Sequence, residues 1–217
     1  MRKLTSSECM DLMESQEDLL LVDLRSLNEF CTSFIPGSMP WQNGLDERMR
    51  REPLFPKGEG VVFIVPSEGS GSVDAAFPDM TGWKILGSMP FDREEWMQAG
   101  VSVDMVIGVE ADELAMDIPY DDRLVIVDVR EPMRYAEGHA AGAVNLPLAS
   151  LFDPGSMAMI QESENLYIHG EGEAEGVLAA ALLKRQGIHN LRVVEGGWEA
   201  IEKEKGIDRE KDPGKLN

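Results

Sequence analysis

The chain has 217 residues and a mass of 24.0 kDa, 43% hydrophobic and 28% charged, which is the make-up of a folded protein. Forty acidic residues against twenty basic ones leave a net charge of −20, spread over both halves, and this argues against gripping nucleic acid or an anionic membrane surface. No apolar run approaches the roughly 18–20 residues of a membrane span, Met1–Glu8 lacks the apolar stretch of a signal peptide, and two cysteines cannot build a disulfide framework. A cytoplasmic location is therefore the expectation.

Taken in chain order, Thr5-x-x-Glu8 reads as a capping box opening a helix with Cys9, Leu12 and Met13 on one face. Leu19–Leu24 is an apolar run of the kind found in strands buried on both faces. Ser26-x-x-Glu29 is a second capping box and starts a helix through Thr32. Val61–Val65 is another buried strand, and Asp92-x-x-Glu95 caps a helix carrying Trp96 and Met97. The second half predicts a strand at Leu124–Val129 and a helix with Pro132 at its first position. A strand at Leu166–His169 follows, then a helix at Gly176–Gln186 with Val177, Ala180, Ala181, Leu182 and Leu183 facing the core. A strand at Leu191–Val194 and a helix at Trp198–Lys205 close the pattern. Gly206–Asn217 is polar and is expected to fray. Among the methionines, Met10, Met13 and Met97 fit helix core faces. Met39, Met49, Met80 and Met89 fall in loops and suggest an adaptable contact surface.

The chain repeats itself. Leu21-Val22-Asp23-Leu24-Arg25 matches Ile126-Val127-Asp128-Val129-Arg130 at an offset of 105 residues, which also carries Phe30 onto Tyr135, Gly37 onto Gly142 and Ser38 onto Ala143. Val62-Phe63-Ile64-Val65 and Leu166-Tyr167-Ile168-His169 correspond at nearly the same shift, each running into a glycine-containing loop. Two copies of one α/β unit are expected, with the boundary near Gly100–Gly108, giving domains 1–104 and 105–217. Strands alternating with helices imply a small parallel sheet flanked by helices in each copy.

The second copy carries two further motifs, Ile126–Glu131 followed by Tyr135-Ala136-Glu137-Gly138-His139-Ala140-Ala141-Gly142-Ala143-Val144-Asn145-Leu146-Pro147, and Gly187-Ile188-His189-Asn190 followed by Val194-Glu195-Gly196-Gly197-Trp198. On these segments it resembles the rhodanese-like sulfurtransferase domain, the first following that family's first signature and the second being similar to its closing signature. The first copy is similar at Val22-Asp23-Leu24-Arg25, Glu29-Phe30 and Ile35-Pro36-Gly37-Ser38, with Phe34 where the second keeps His139. The resemblance implies two tandem rhodanese-like domains. It also implies a chemistry, in which a cysteine opening the loop after the fourth strand carries sulfur as a persulfide. Loop amides and the next helix N-terminus would stabilise its thiolate, and a basic residue late in the loop would hold an anionic donor.

Against that pattern, the second copy's loop is Gly170-Glu171-Gly172-Glu173-Ala174-Glu175-Gly176, with Gly170 at the cysteine position and Glu175 at the basic one. The first copy's loop is Pro66-Ser67-Glu68-Gly69-Ser70-Gly71-Ser72, with Pro66 at the cysteine position and Gly69 and Ser72 at further vestigial positions. Neither loop has a thiol, a lysine or an arginine, so no catalytic residue is expected among Pro66, Gly69, Ser72, Gly170, Gly172 and Glu175. The loop glutamates repel oxyanions, and they also suit the start of a helix at about 0.3–1 kcal/mol each. Cys9 reads as a small buried hydrophobe, and Cys31 sits at the end of the second helix.

Other chemistry is weaker. His169 with Glu171, Glu173 and Glu175 offers metal-ligand types without a second ligand set. Ser67, Ser70 and Ser72 lack a base, because His139, His169 and His189 all lie in the second copy. Gly69-Ser70-Gly71-Ser72 lacks the lysine of a phosphate-binding loop. His139 is expected to make a structural hydrogen bond, and Asp23/Arg25 and Asp128/Arg130 to pair at strand ends. The sequence thus points to a non-catalytic rhodanese-like tandem protein, a binding or regulatory module in sulfur-related metabolism. It is expected to need no cofactor or metal and to have a protein partner, a basic one being the expectation from the charge. The alternative is an active sulfurtransferase using a displaced thiol such as Cys31, or one supplied by a partner.

Overall fold

Apolar runs of four to six residues become the central strands, because both faces of each are covered. In the computed structural model, residues 1–16, 19–41, 60–66, 82–160 and 164–212 are described, and the chain divides into two compact units, Met1–Met105 and Val106–Asn217.

The first unit runs α1 (Ser6–Ser15), β1 (Leu20–Asp23), α2 (Leu27–Thr32), β2 (Met39–Pro40), β3 (Gly60–Val65), β4 (Lys84–Pro90) and α3 (Arg93–Gln98). Both capping boxes form. Thr5 Oγ1 accepts from the Glu8 N–H while the Glu8 carboxylate accepts from the Thr5 N–H, and Ser26 with Glu29 repeats the arrangement. The strands are parallel in the order β2-β1-β3-β4, and Lys3 adds a parallel bridge to Ser88. Leu21, Ile35, Val62, Ile64, Met89 and Trp96 form the core between sheet and helices.

The second unit runs β5 (Gly108–Val109), α4 (Ala111–Asp117), β6 (Leu124–Asp128), α5 (Pro132–Glu137), β7 (His139–Ala140), β8 (Val144–Asn145), a 3-10 turn at Leu148–Ser150 and α6 (Pro154–Met157). It continues through β9 (Asn165–His169), α7 (Glu173–Arg185), β10 (Leu191–Val194), α8 (Gly197–Lys203) and β11 (Arg209–Glu210). Its main sheet is parallel, in the order β5-β10-β9-β6-β8. This is the wiring of the first unit, strand for strand at the repeat offset. Gly108, 105 residues after Lys3, pairs with Val193 as Lys3 pairs with Ser88.

Helix α7 is buried on every side from Gly176 to Leu183, a wider burial than a single core-facing stripe. It begins at Glu173, three residues before the sequence-predicted start, and its acidic first turn suits the positive end of the helix dipole. The C-terminal segment also differs from expectation. Ile207 is in the core and Arg209–Glu210 pairs antiparallel with His139–Ala140, so apolar burial and a short ladder hold what composition alone marked as frayed. Residues 213–217 lie outside the described residues. Met97 is 55% exposed on α3, because Trp96 takes that helix's core position, whereas Met39 and Met89 are each 1% exposed on strands rather than in loops. Met10 and Met13 pack against the core as expected, and Met49 and Met80 lie outside the described residues.

Candidate functional site

The loop joining β9 to α7 is three residues long, Gly170-Glu171-Gly172, and leaves the sheet where β9 lies beside β6. Glu175, in the first turn of α7, folds back over it, and its Oε2 accepts a hydrogen bond from the backbone N–H of Glu171 at 2.7 Å. A Cβ built on Gly170 would lie 2.4 Å from Glu175 Cβ and 2.6 Å from its Oε2. Residue 170 is therefore confined to glycine while Glu175 holds this position. From the other side, the Trp198 N–H donates to the Gly170 carbonyl at 2.9 Å. Gly197, at φ +61°, lets the start of α8 press on the loop backbone, where an added Cβ would meet Gly172 Cα at 2.8 Å and the Glu171 and Gly170 carbonyls at 2.9 Å. Burial, and then Glu195, raise the Glu173 carboxyl above its ordinary value.

Beneath the loop, Arg130 and Asp128 form a buried pair. Arg130 Nε donates to both carboxylate oxygens at 3.0 and 3.1 Å, and Nη2 to Oδ2 at 2.6 Å and to the Gly138 carbonyl at 2.7 Å. Its guanidinium lies 4.1 Å from the centre of the Trp198 ring. The first unit carries the same assembly 105 residues earlier. Arg25 binds Asp23 and the Ser33 carbonyl with matching geometry, and the guanidinium lies over Phe91 at 4.0 Å. Phe30 stacks on Phe34 as Tyr135 stacks on His139. His139 places Nδ1 2.9 Å from the Tyr135 carbonyl, on β7. These charges and rings organise the strand ends, in keeping with the sequence reading of both pairs.

His169 ends β9 fully buried, with Nε2 3.6 Å from Asp128 Oδ2 and without a hydrogen-bond partner there. Burial lowers its basicity, and Asp128 opposes that shift without reversing it. Among the described residues, no three His, Cys, Asp or Glu side chains come together as metal ligands, so His169 and the loop glutamates do not form such a group.

Cys9 is buried on α1 and burial pushes its thiol up to about 11, whereas Cys31 on α2 is half-buried. In the first unit Pro66 follows β3, and Ser67, Gly69, Ser70 and Ser72 lie outside the described residues. The ladders set Ile64 opposite Asp23 and His169 opposite Asp128. By that register Val65 is the counterpart of Gly170 and Pro66 that of Glu171. Neither carries a thiol.

A cleft of about 450 Å³ opens beside Glu171, with Arg130 and Trp198 in its lining together with Arg134, Glu202, Arg209 and Lys211. Arg209 and Lys211 escape a sequence reading, because only the β11–β7 ladder brings the C-terminal segment to this face.

The family model for the Rhodanese-like domain matches residues 110–204. A candidate thiosulfate sulfurtransferase of Synechococcus elongatus is 30% identical over 96 residues, covering 35% of this chain and 30% of that protein's length. Among solved structures, the rhodanese-like domain of an Anabaena protein is 27% identical, covering 49% of this chain and 80% of its own, with a TM-score of 0.44. A thiosulfate sulfurtransferase of Pseudomonas aeruginosa is 14% identical, covering 98% of this chain and 44% of its own, with a TM-score of 0.40. Residues 110–204, which match the Rhodanese-like domain model, hold the parallel sheet of the second unit and both of the sequence signatures, and the chain spans less than a third of the length of the Synechococcus relative.

Proposed function

We propose that the chain is a non-catalytic pair of rhodanese-like domains, 1–104 and 105–217, serving as a binding or regulatory module in sulfur-related metabolism. One observation carries the reading. At the loop where a rhodanese-like enzyme would hold its sulfur carrier, residue 170 is glycine and the Glu175 carboxylate occupies the adjacent space, bonded to the Glu171 N–H at 2.7 Å. A thiolate nucleophile is missing, and an anionic donor would meet a carboxylate where it needs a cation. The equal Asp–Arg assemblies and strand orders of the two units support reading the first as a degenerate copy of the second. The charge of −20 suits a basic protein partner in the cytoplasm.

Incubation with thiosulfate and cyanide tests the proposal, with thiocyanate as the readout. Background-level thiocyanate is the expected result. Turnover that persists in the Cys9→Ser/Cys31→Ser variant overturns it. The half-buried position of Cys31 favours one second reading, sulfur transfer through that thiol. Turnover abolished by Cys31→Ser, with a persulfide found on Cys31 by mass spectrometry, would establish it instead.

A further inference from the structure

The second unit keeps an apolar turn in water and spends hydrogen bonds to hold it there. Residues 116–120, Met-Asp-Ile-Pro-Tyr, end α4 and are all exposed, with Met116, Ile118 and Tyr120 at 61%, 38% and 88%. Single exposed apolar side chains are ordinary, but three within five residues concentrate apolar surface on one turn, as interaction sites do.

The turn is pinned. The Ile118 N–H donates to the Leu114 carbonyl and the Tyr120 N–H to the Asp117 carbonyl, each at 3.0 Å. Asp117 Oδ2 accepts from the Tyr167 hydroxyl at 2.5 Å, and Asp121 Oδ2 accepts from Asn165 Nδ2 at 2.6 Å. Asp121 Oδ1 also accepts from the Arg123 N–H at 3.0 Å. Two carboxylates therefore tie the two ends of the turn to side chains of β9. A surface fixed in this way gives up little conformational freedom on binding. Tyrosine and methionine are also residue types enriched at interface cores.

Charge selects the occupant. Glu110, Asp112, Glu113, Asp117, Asp121 and Asp122 flank the turn in sequence, with no lysine or arginine between residues 110 and 122, and they outnumber the two cations beside it, Arg123 and Arg192, the latter 5.4 Å from the centre of the Tyr167 ring. A second copy using the same face would set like charges against each other, and an anionic membrane would be repelled. We propose that the 116–120 turn docks a basic, amphipathic segment of a partner protein, its apolar residues covering Met116, Ile118 and Tyr120 and its Lys or Arg residues meeting the flanking carboxylates. Asn165 opens β9, Tyr167 lies at its middle and Gly170 follows its end, so the anchors of this surface sit roughly 10–16 Å along the strand from the Gly170 loop.

The test titrates the full chain into a fluorescein-labelled helical peptide of about 14 residues built from Leu and Lys, read by anisotropy, with a Leu/Glu peptide as control. Met116→Ser/Tyr120→Ser removes exposed groups and is expected to fold as the wild type does, which its melting curve checks. This variant is expected to weaken Leu/Lys binding about tenfold, a loss of about 1.4 kcal/mol. Met133→Ser/Met159→Ser, at other exposed methionines, is expected to leave it within about twofold. No binding by the wild type, equal weakening in both variants, or equal binding of the Leu/Glu peptide overturns the proposal. So does a dimer in sedimentation that dissociates in the 116/120 variant, since the occupant is then a second copy. Neither variant touches the loop, so thiocyanate production is expected to equal the wild-type level in both, whatever that level is.

Discussion

The Glu175 carboxylate and the Glu171 amide are hydrogen-bonded at 2.7 Å, and this contact leaves no room for a side chain on residue 170. Installing a thiol at residue 170 alone is therefore expected to fail. Gly170→Cys should destabilise the second unit by about 1–3 kcal/mol through overpacking and give no thiocyanate above background. Gly170→Cys with Glu175→Gly removes the clashing carbon and is expected to recover most of that loss. Urea unfolding of the two variants checks this, and equal stabilities would refute the steric account.

His169 makes the second unit sensitive to acid. Its basicity is lowered in the folded state by burial, so the unfolded chain takes up a proton first as pH falls below about 6.5. Folding stability contributed here is full above that pH and declines below it, with a limiting slope of about 1.4 kcal/mol per pH unit. His169→Phe is expected to flatten the wild-type decline between about pH 6.5 and 5, the range above most carboxylate titrations. Identical pH profiles for the two proteins would exclude His169 as the cause.

The buried pairs at Asp128–Arg130 and Asp23–Arg25 predict matched lesions. Removing one partner strands a charge in the core, at about 3–5 kcal/mol. Arg130→Ala also loses the Gly138 carbonyl bond and the contact with Trp198, and Arg25→Ala the equivalents at Ser33 and Phe91. The two variants are expected to lose similar amounts in guanidinium melts. A loss below about 1 kcal/mol at either site would mean that the pair adds little beyond a surface bridge.

The thiols should separate kinetically. Cys9 is fully buried with its thiol raised to about 11, so at pH 8 a disulfide reagent is expected to reach it only on unfolding. Cys31, half-buried, is expected to react in the folded protein. Thiol counting before and after denaturation measures both, and two fast thiols in the native state would contradict the packing around α1.

What could be read from residues alone was local. The boxes at Thr5/Glu8 and Ser26/Glu29 and the apolar strands β1, β3, β6, β9 and β10 depend on neighbours within a few positions, and their sequences report them. Strand β4 does not read as a strand, because Lys84–Pro90 contains Gly87 and Pro90 and shows no clean alternation. It is placed by β3 on one side and by the Arg2–Leu4 segment on the other, whose backbone bonds to Ser88. The start of α4 was hidden for another reason: Glu110 stands at the cap position, and the carboxylate of Glu113 bonds its N–H. At the candidate site the absence of a thiol was legible, but the fold-back of Glu175 depends on loop geometry that spacing does not encode. The cleft beside Glu171 was equally hidden, since two of its cations, Arg209 and Lys211, come from a segment whose polar composition pointed to a frayed end.

Gly197 gives this last point a wider meaning. Because it lacks a side chain and sits at φ +61°, the backbone of α8 presses directly on Gly170, Glu171 and Gly172. The curvature of the loop is thus templated from a distant stretch of chain, and the side chains within the loop need not specify it. Such a scaffold separates the path of the loop from the side chain it carries, so a change at Glu171 is expected to alter the charge of the loop and leave its contour in place.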